Sequence, residues 1–180
     1  MVTRRARRGH GKIDGGTFSR RAVPVISEFR IRPAIAAEAP ALTALCRRAK
    51  ASWGYPAEWL AAWADDLSVT PEEAASGRVF VVETAAGECV GFSGLSERSG
   101  RWWLEHLWVE PAQHGRGWGR KLFAAALAEA RRRGVEELWI VADPQAEGFY
   151  RRLGAKRAGT ERGEVCGAAR ELPLLVVAVP

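Results

Sequence analysis

Residues 110–123, EPAQHGRGWGRKLF, carry the densest chemistry in the chain. Glycines at 115, 117 and 119 let the backbone turn tightly with few side chains in the way. Successive N–H groups can then converge on one anion, and the helix predicted to start here adds the partial positive charge of its N-terminus. Arg116, Arg120 and Lys121 bring formal positive charge to the same place. The segment reads as a cradle for a phosphate or pyrophosphate, with a plain surface turn as the alternative. A dinucleotide fingerprint needs G-x-G-x-x-G after the first strand of a parallel unit, and a Walker loop needs G-K-[ST]; the spacing here fits neither.

Two further groups invite attention. In RWWLEHLWVE, strand alternation puts Trp103, Glu105, Leu107 and Val109 on one face and Leu104, His106 and Trp108 on the other. Glu105 and His106 are both candidates to accept a proton, and without a bulge they cannot both enter one cleft. In KASWGYPAEWLAAW, the rings of Trp53, Tyr55, Trp59 and Trp63 offer an aromatic box for a cation, against the alternative of ordinary helix packing. Glu58, Asp65 and Asp66 nearby are candidates to recognise a second positive charge, or simply solvated acids. Cys46, Cys89 and Cys166 are an odd number at wide spacing without C-x-x-C, which excludes zinc-ribbon and dithiol patterns and fits a reducing cytoplasm. Cys166 has no neighbouring histidine in sequence to activate it as a nucleophile.

The elements that must position these residues follow from periodicity and punctuation. EFRIRP alternates and stops at Pro33, a strand. AIAAEAPALTALCRRAK predicts a helix with Ile35, Leu42 and Leu45 on one stripe. Pro56 opens a second helix that stacks Trp59 on Trp63, and Thr70 caps a short third one ended by Gly77. RVFVVET, ECVGFSGLSE and RWWLEHLWVE form an antiparallel meander. RKLFAAALAEARRRG is a strong amphipathic helix, ELWIVA a buried strand and DPQAEGFYRRLG a short helix. AKRAGTE and LPLLVVAV are two last strands separated by a polar loop, TERGEVCGAAREL, that would border the pocket and close over it. The order β, α, α, β, β, β, α, β, α, β, β, with the short third helix inside it, predicts an α+β, three-layer α/β/α fold on a mixed, mostly antiparallel central sheet of six to seven strands.

Composition sets the outer limits. The chain has 180 residues, 47% hydrophobic and 27% charged, the mix of a soluble globular protein of one domain. Its longest apolar run, Leu172 to Val179, falls short of the roughly 18 to 20 residues of a membrane helix. The net charge of +6 is local: residues 1–30 hold eight basic and two acidic side chains, and the other 150 balance at 19 each. Residues 1–27 are expected to form a flexible basic arm without the apolar core of a secretory signal, and residues 28–180 the domain. Nucleic-acid binding is expected only as weak contacts of that arm.

The string VEPAQHGRGWGRKLF resembles the acetyl-CoA signature of the GNAT family of N-acetyltransferases, Arg/Gln-x-x-Gly-x-Gly/Ala, on His114, Gly117 and Gly119. ADPQAEGFYRRLGA resembles the family's downstream motif at Asp143, Ala146, Phe149, Tyr150, Leu153 and Gly154. His114 replaces the usual Arg or Gln, and Asp143 the usual Asn; Asp143 would then cap the helix that follows. The resemblance implies a GNAT-like acyl-CoA N-acyltransferase fold over residues 28–180. It implies acetyl transfer from acetyl-CoA, a cosubstrate without a metal, to a primary amine of a small molecule or exposed protein, by direct attack through a tetrahedral intermediate. The cofactor would lie along Leu107 and Val109, on His114, Gly115, Arg116, Gly117, Trp118, Gly119 and Arg120, and against Asp143 and Ala146. Tyr150 would protonate the departing sulfur, or else serve as an aromatic anchor beside Phe149. Glu105 would act as base, with His106 as rival, and Trp53, Tyr55 and Trp59 would wall the acceptor side. A homodimer through the last strands is a family expectation. The competing class is a CoA-binding sensor or inactive relative.

Overall fold

Alternating burial makes the strands and a one-sided apolar stripe makes the helices, in the order β1 (Phe29–Pro33), α1 (Ala39–Ala51), α2 (Ala57–Ala62), α3 (Pro71–Ala74), β2 (Val79–Thr84), β3 (Cys89–Arg98), β4 (Arg101–Val109), α4 (Trp118–Arg132), β5 (Glu137–Val141), α5 (Glu147–Arg152), β6 (Lys156–Val165) and β7 (Ala168–Ala178). This computed structural model describes residues 29–180, so the basic segment 1–27 lies outside the described residues. The strands form one seven-stranded sheet in the order β1-β2-β3-β4-β5-β7-β6. Every neighbouring pair is antiparallel except β4 and β5, which run parallel on either side of the α4 crossover.

Two layers of helix cover the sheet. On one face Leu42, Leu45, Cys46 and Ala49 of α1 pack with Ala74 of α3 against Val79, Val81 and Phe92. On the other, Phe123, Ala126 and Ala130 of α4 and Tyr150 of α5 pack against Leu104, Leu138, Ile140 and Leu175. A third cluster, Val82, Val90, Val109, Trp118 and Leu122, continues that second face toward β2. The expected three-layer α/β/α arrangement is the observed one. Among the described residues no helix is long and apolar enough to cross a membrane.

Three local expectations change. Ile35 is 58% exposed and precedes a turn of 3₁₀ helix at Ala36–Glu38, because Pro40 delays the start of α1. Pro56 sits just outside α2 rather than within its first turn. The polar loop after β6 does not exist as a loop: β6 and β7 run on through it and meet at Cys166 and Gly167, whose φ values of 48° and 78° make a two-residue hairpin turn. Thr70 caps α3 as expected, in a reciprocal box with Glu73.

Candidate active site

β4 and β5 hold together only through Trp102↔Leu138 and Trp103↔Trp139 and then splay. Beyond that point β4 has lost its partner on one side, and the gap opens into a cleft of about 650 Å³. One wall is Leu104, Glu105, Leu107, Trp108 and Val109 of β4, the other Val141 at the end of β5 with Ala142, Asp143 and Gln145 after it. The glycine segment and α4 close one end. Lys50, Trp53, Arg170 and Leu172 also line it, as do Phe149 and Tyr150 of α5.

The glycine segment is built as a cradle. Gly115 and Gly117 take φ values of 77° and 81°, and Gly117 is the N-cap residue just before α4. No side chain caps that first turn, which leaves its leading N–H groups for another acceptor. At Gly119 a Cβ would stand 3.2 Å from the Phe149 ring, so the helix approaches α5 only because that side chain is missing. His114 Nε2 donates to the Val109 carbonyl at 3.0 Å and pins the segment to the end of β4. Arg116 and Arg120 are exposed at its rim. These features fit a pyrophosphate, and the unpaired edge of β4 fits an extended amide chain beside Leu107 and Val109.

A bulge resolves the competition on β4. Gly94 pairs with His106 and Leu95 with Leu104, so Glu105 is the extra, unpaired residue. Strict alternation would have placed Leu104 and His106 on one face. Instead Leu104 joins the α4 side, while His106 is 8% exposed, stacks on Phe92 and accepts from Trp108 Nε1 at 3.3 Å. Burial pushes the His106 imidazole below its ordinary pKa, and the ring does not line the cleft. Glu105 does line it, is exposed, accepts from Ser96 Oγ at 2.8 Å and lies 3.6 Å from Arg98. Tyr150 is 8% exposed and lines the same cleft, and its hydroxyl has no hydrogen-bond partner among the described residues. Burial raises its pKa well above the ordinary phenol value, so the group stays protonated.

Around Asp143 the arrangement is one the sequence did not disclose. Asp143 accepts from the Gln145 N–H at 3.0 Å but does not cap the following helix as expected, because α5 starts only at Glu147, with Ala146 at its N-cap and no side-chain cap. The carboxylate turns mainly to Lys50 Nζ at 2.7 Å, the Tyr55 hydroxyl at 2.8 Å and Arg170 Nη2 at 3.4 Å. Burial works against its charge, yet the hydrogen bonds from Lys50, the Gln145 backbone and Tyr55 outweigh it and hold the carboxyl below its usual range. The aromatic box also forms, and it is already filled by the protein itself. Lys50 Nζ lies 4.7 to 4.9 Å from the ring centres of Trp53, Tyr55 and Trp63, and the Arg170 guanidinium 4.8 to 5.7 Å from those of Tyr55, Trp59 and Trp63. Trp53 lines the cleft, whereas Tyr55 and Trp59 stand behind Arg170. Glu58, Asp65 and Asp66 are exposed and do not line it. Sequence reading missed Lys50 and Arg170; the signal for Lys50 was a lysine at the end of an apolar helix stripe, next to four aromatic residues.

A sheet with splayed central strands, a glycine cradle at the head of the following helix and a buried tyrosine beside the gap defines a fold shared with known structures. A GCN5-related N-acetyltransferase from Rhodopseudomonas palustris superposes with a TM-score of 0.69 at 24% identity, over 86% of this chain and 98% of that one. The PaiA N-acetyltransferase of Thermoplasma acidophilum, solved with coenzyme A, superposes with a TM-score of 0.66 at 15% identity, over 83% and 98%. The profile described as "Acetyltransferase (GNAT) family" matches residues 42–155. The chain belongs to the GNAT acetyltransferase family. It is 35% identical to streptothricin acetyltransferase of Streptomyces lavendulae over 104 residues, 55% of each chain. It is 32% identical to glucosamine 6-phosphate N-acetyltransferase 1 of rice, Oryza sativa subsp. japonica, over 107 residues, 59% of this chain and 62% of that one. The matches thus span a little over half the length of these curated relatives.

Proposed function

We propose that this protein is an acetyl-CoA-dependent N-acetyltransferase acting on a primary amine. The observation that carries the reading is the single cleft running from the glycine cradle, along the unpaired edge of β4, past Tyr150 to Glu105 and the Lys50–Asp143–Arg170 wall. Family membership and the activities of both curated relatives support it. When bound, acetyl-CoA supplies an activated thioester.

Residues of the chain would do the rest. The N–H groups at Gly117 to Gly119, with Arg116 and Arg120, hold the pyrophosphate, and Leu107 to Val109 hold the pantetheine arm as an added strand would be held. An amine is protonated at neutral pH and must shed its proton before it can attack; Glu105 is the carboxylate available in the cleft to take it, directly or through water. Tyr150, kept neutral by burial, is the proton source for the departing sulfur.

Two measurements test this together. Acetyl-CoA should raise the melting temperature, as any ligand of the folded state does. Thiol release should then follow for some members of a broad amine panel. A melting shift without thiol release from any amine would replace the enzyme reading with that of a CoA-binding sensor.

A further inference from the structure

At the acceptor end the cations outnumber the carboxylates. The side chains of Lys50, Arg170 and Asp143 are 10%, 13% and 6% exposed. Asp143 is the one carboxylate within ion-pair distance of either cation among the described residues. Tyr55 adds no negative charge, because burial and Asp143 hold its phenol protonated. The other acid of the cleft, Glu105, faces Ser96 and Arg98 on its own strand pair. One positive charge is therefore left over in surroundings made largely of indole and phenol rings.

The two cations differ in what they still offer. Lys50 is spent on Asp143 and three ring faces. Arg170 donates only through Nη2, to Tyr55 and Asp143, and its Nε and Nη1 donors have no acceptor among the described residues. A guanidinium presents its donors in a planar fork that fits a carboxylate or phosphate edge. A partly desolvated charge without a partner is unfavourable, and an anion entering the cleft would complete it. A polycation would meet the reverse: like charge at the wall and ring faces already taken.

We infer that the acceptor amine also bears a carboxylate or phosphate, which Arg170 receives while Asp143, Tyr55 and the surrounding rings hold the guanidinium in place. The inference rests on the acetyltransferase reading above and names its substrate class; Arg170 is the residue that sets the specificity.

Matched amines that differ only in the anionic group decide it: β-alanine against β-alaninamide for the carboxylate, and O-phosphoethanolamine against ethanolamine for the phosphate. Thiol release should favour the anionic member of at least one pair by about tenfold or more in kcat/KM, the scale of a charge-assisted hydrogen bond. Arg170→Gln should shrink that anionic-to-neutral ratio about tenfold, mainly through KM, and Arg170→Lys should restore part of it. Equal use of both members of every pair overturns the inference. So does an Arg170→Gln variant that slows both members by one factor, since that is damage to the fold rather than lost recognition. If no amine in either pair releases thiol, binding decides instead: the intrinsic tryptophan fluorescence, to which Trp53, Trp59 and Trp63 contribute, is titrated with N-acetyl-β-alanine and O-phosphoethanolamine. Saturable change with the anions but not their neutral partners, abolished in Arg170→Gln, upholds the anion site even where the transfer reading has failed. The absence of such change overturns it.

Discussion

Single residues in the cleft take their roles from their surroundings more than from their type. Tyr150 is a phenol that burial keeps protonated, so its only contribution to proton traffic is to donate. Tyr150→Phe keeps the ring that packs on Phe123 and Phe149 and removes the proton. It should lower kcat by about a hundredfold, the low end for a general acid, with little change in the acetyl-CoA Kd measured by calorimetry. A kcat within twofold of the parent would return Tyr150 to the role of aromatic anchor. Glu105→Gln preserves the hydrogen bond from Ser96 and deletes the base. Its kcat should fall about a hundredfold at neutral pH and recover as pH rises and more of the acceptor is already deprotonated. An equal loss at every pH would mean that Glu105 only positions the acceptor. Asp143 shows where reading by residue stopped. The helix cap expected of it does not form, and its main partners Lys50, Tyr55 and Arg170 are 93, 88 and 27 positions away, pairings that leave no mark in a single sequence.

Elements decide which of these groups can meet. The sequence showed the helix and strand order because each stripe is long and strongly periodic, and it marked the tight turn at the head of α4 because Gly115 and Gly117 take the positive φ that glycine allows. It did not show the bulge, since an inserted residue in RWWLEHLWVE looks like any other until the partner strand fixes the register. One extra residue turned two rival bases into one cleft carboxylate and one buried imidazole. Nor did it show the β6–β7 hairpin: most of β6 is exposed on both faces, so burial imposes no alternation, and the turn relies on Cys166 at positive φ rather than on a common Asn-Gly pair. At the cradle, backbone geometry itself is testable. A Cβ at Gly117 would touch nothing within 4 Å, so Gly117→Ala isolates the cost of holding φ at 81°. That cost is about 1 kcal/mol. Urea unfolding should show about that loss without acetyl-CoA, and a several-fold weaker Kd for acetyl-CoA should accompany it as the N–H groups lose their convergence. An unchanged Kd would argue that the anion is held by Arg116 and Arg120 alone.

For the molecule as a whole, the basic excess belongs to the first 30 residues and the remainder is balanced, so the response of the folded part to pH comes from individual buried groups. Two kinds act in different ranges. The carboxyls of Glu38, Glu129 and Asp143 are held below their ordinary values of 4.5 and 3.8 by arginine or lysine partners. Their stabilisation is complete above those values and is lost as pH falls through the lowered ones. His106 acts earlier. Its folded pKa lies below the ordinary 6.5, so between the two the unfolded chain binds a proton that the folded chain refuses. Stability must therefore fall as pH drops below about 6.5, until the buried ring itself is protonated. His106→Gln retains an acceptor for Trp108 Nε1 and cannot titrate. The variant should be less stable at pH 7.5, having lost the packing on Phe92, but its urea midpoint should stay flat from pH 7 to 5 where that of the parent declines. Parallel decline in both proteins would place the titrating group elsewhere. Retained acetyl transfer in the same variant at pH 7.5 would bear on the site as well, because it would remove the rival to Glu105 as the proposed base.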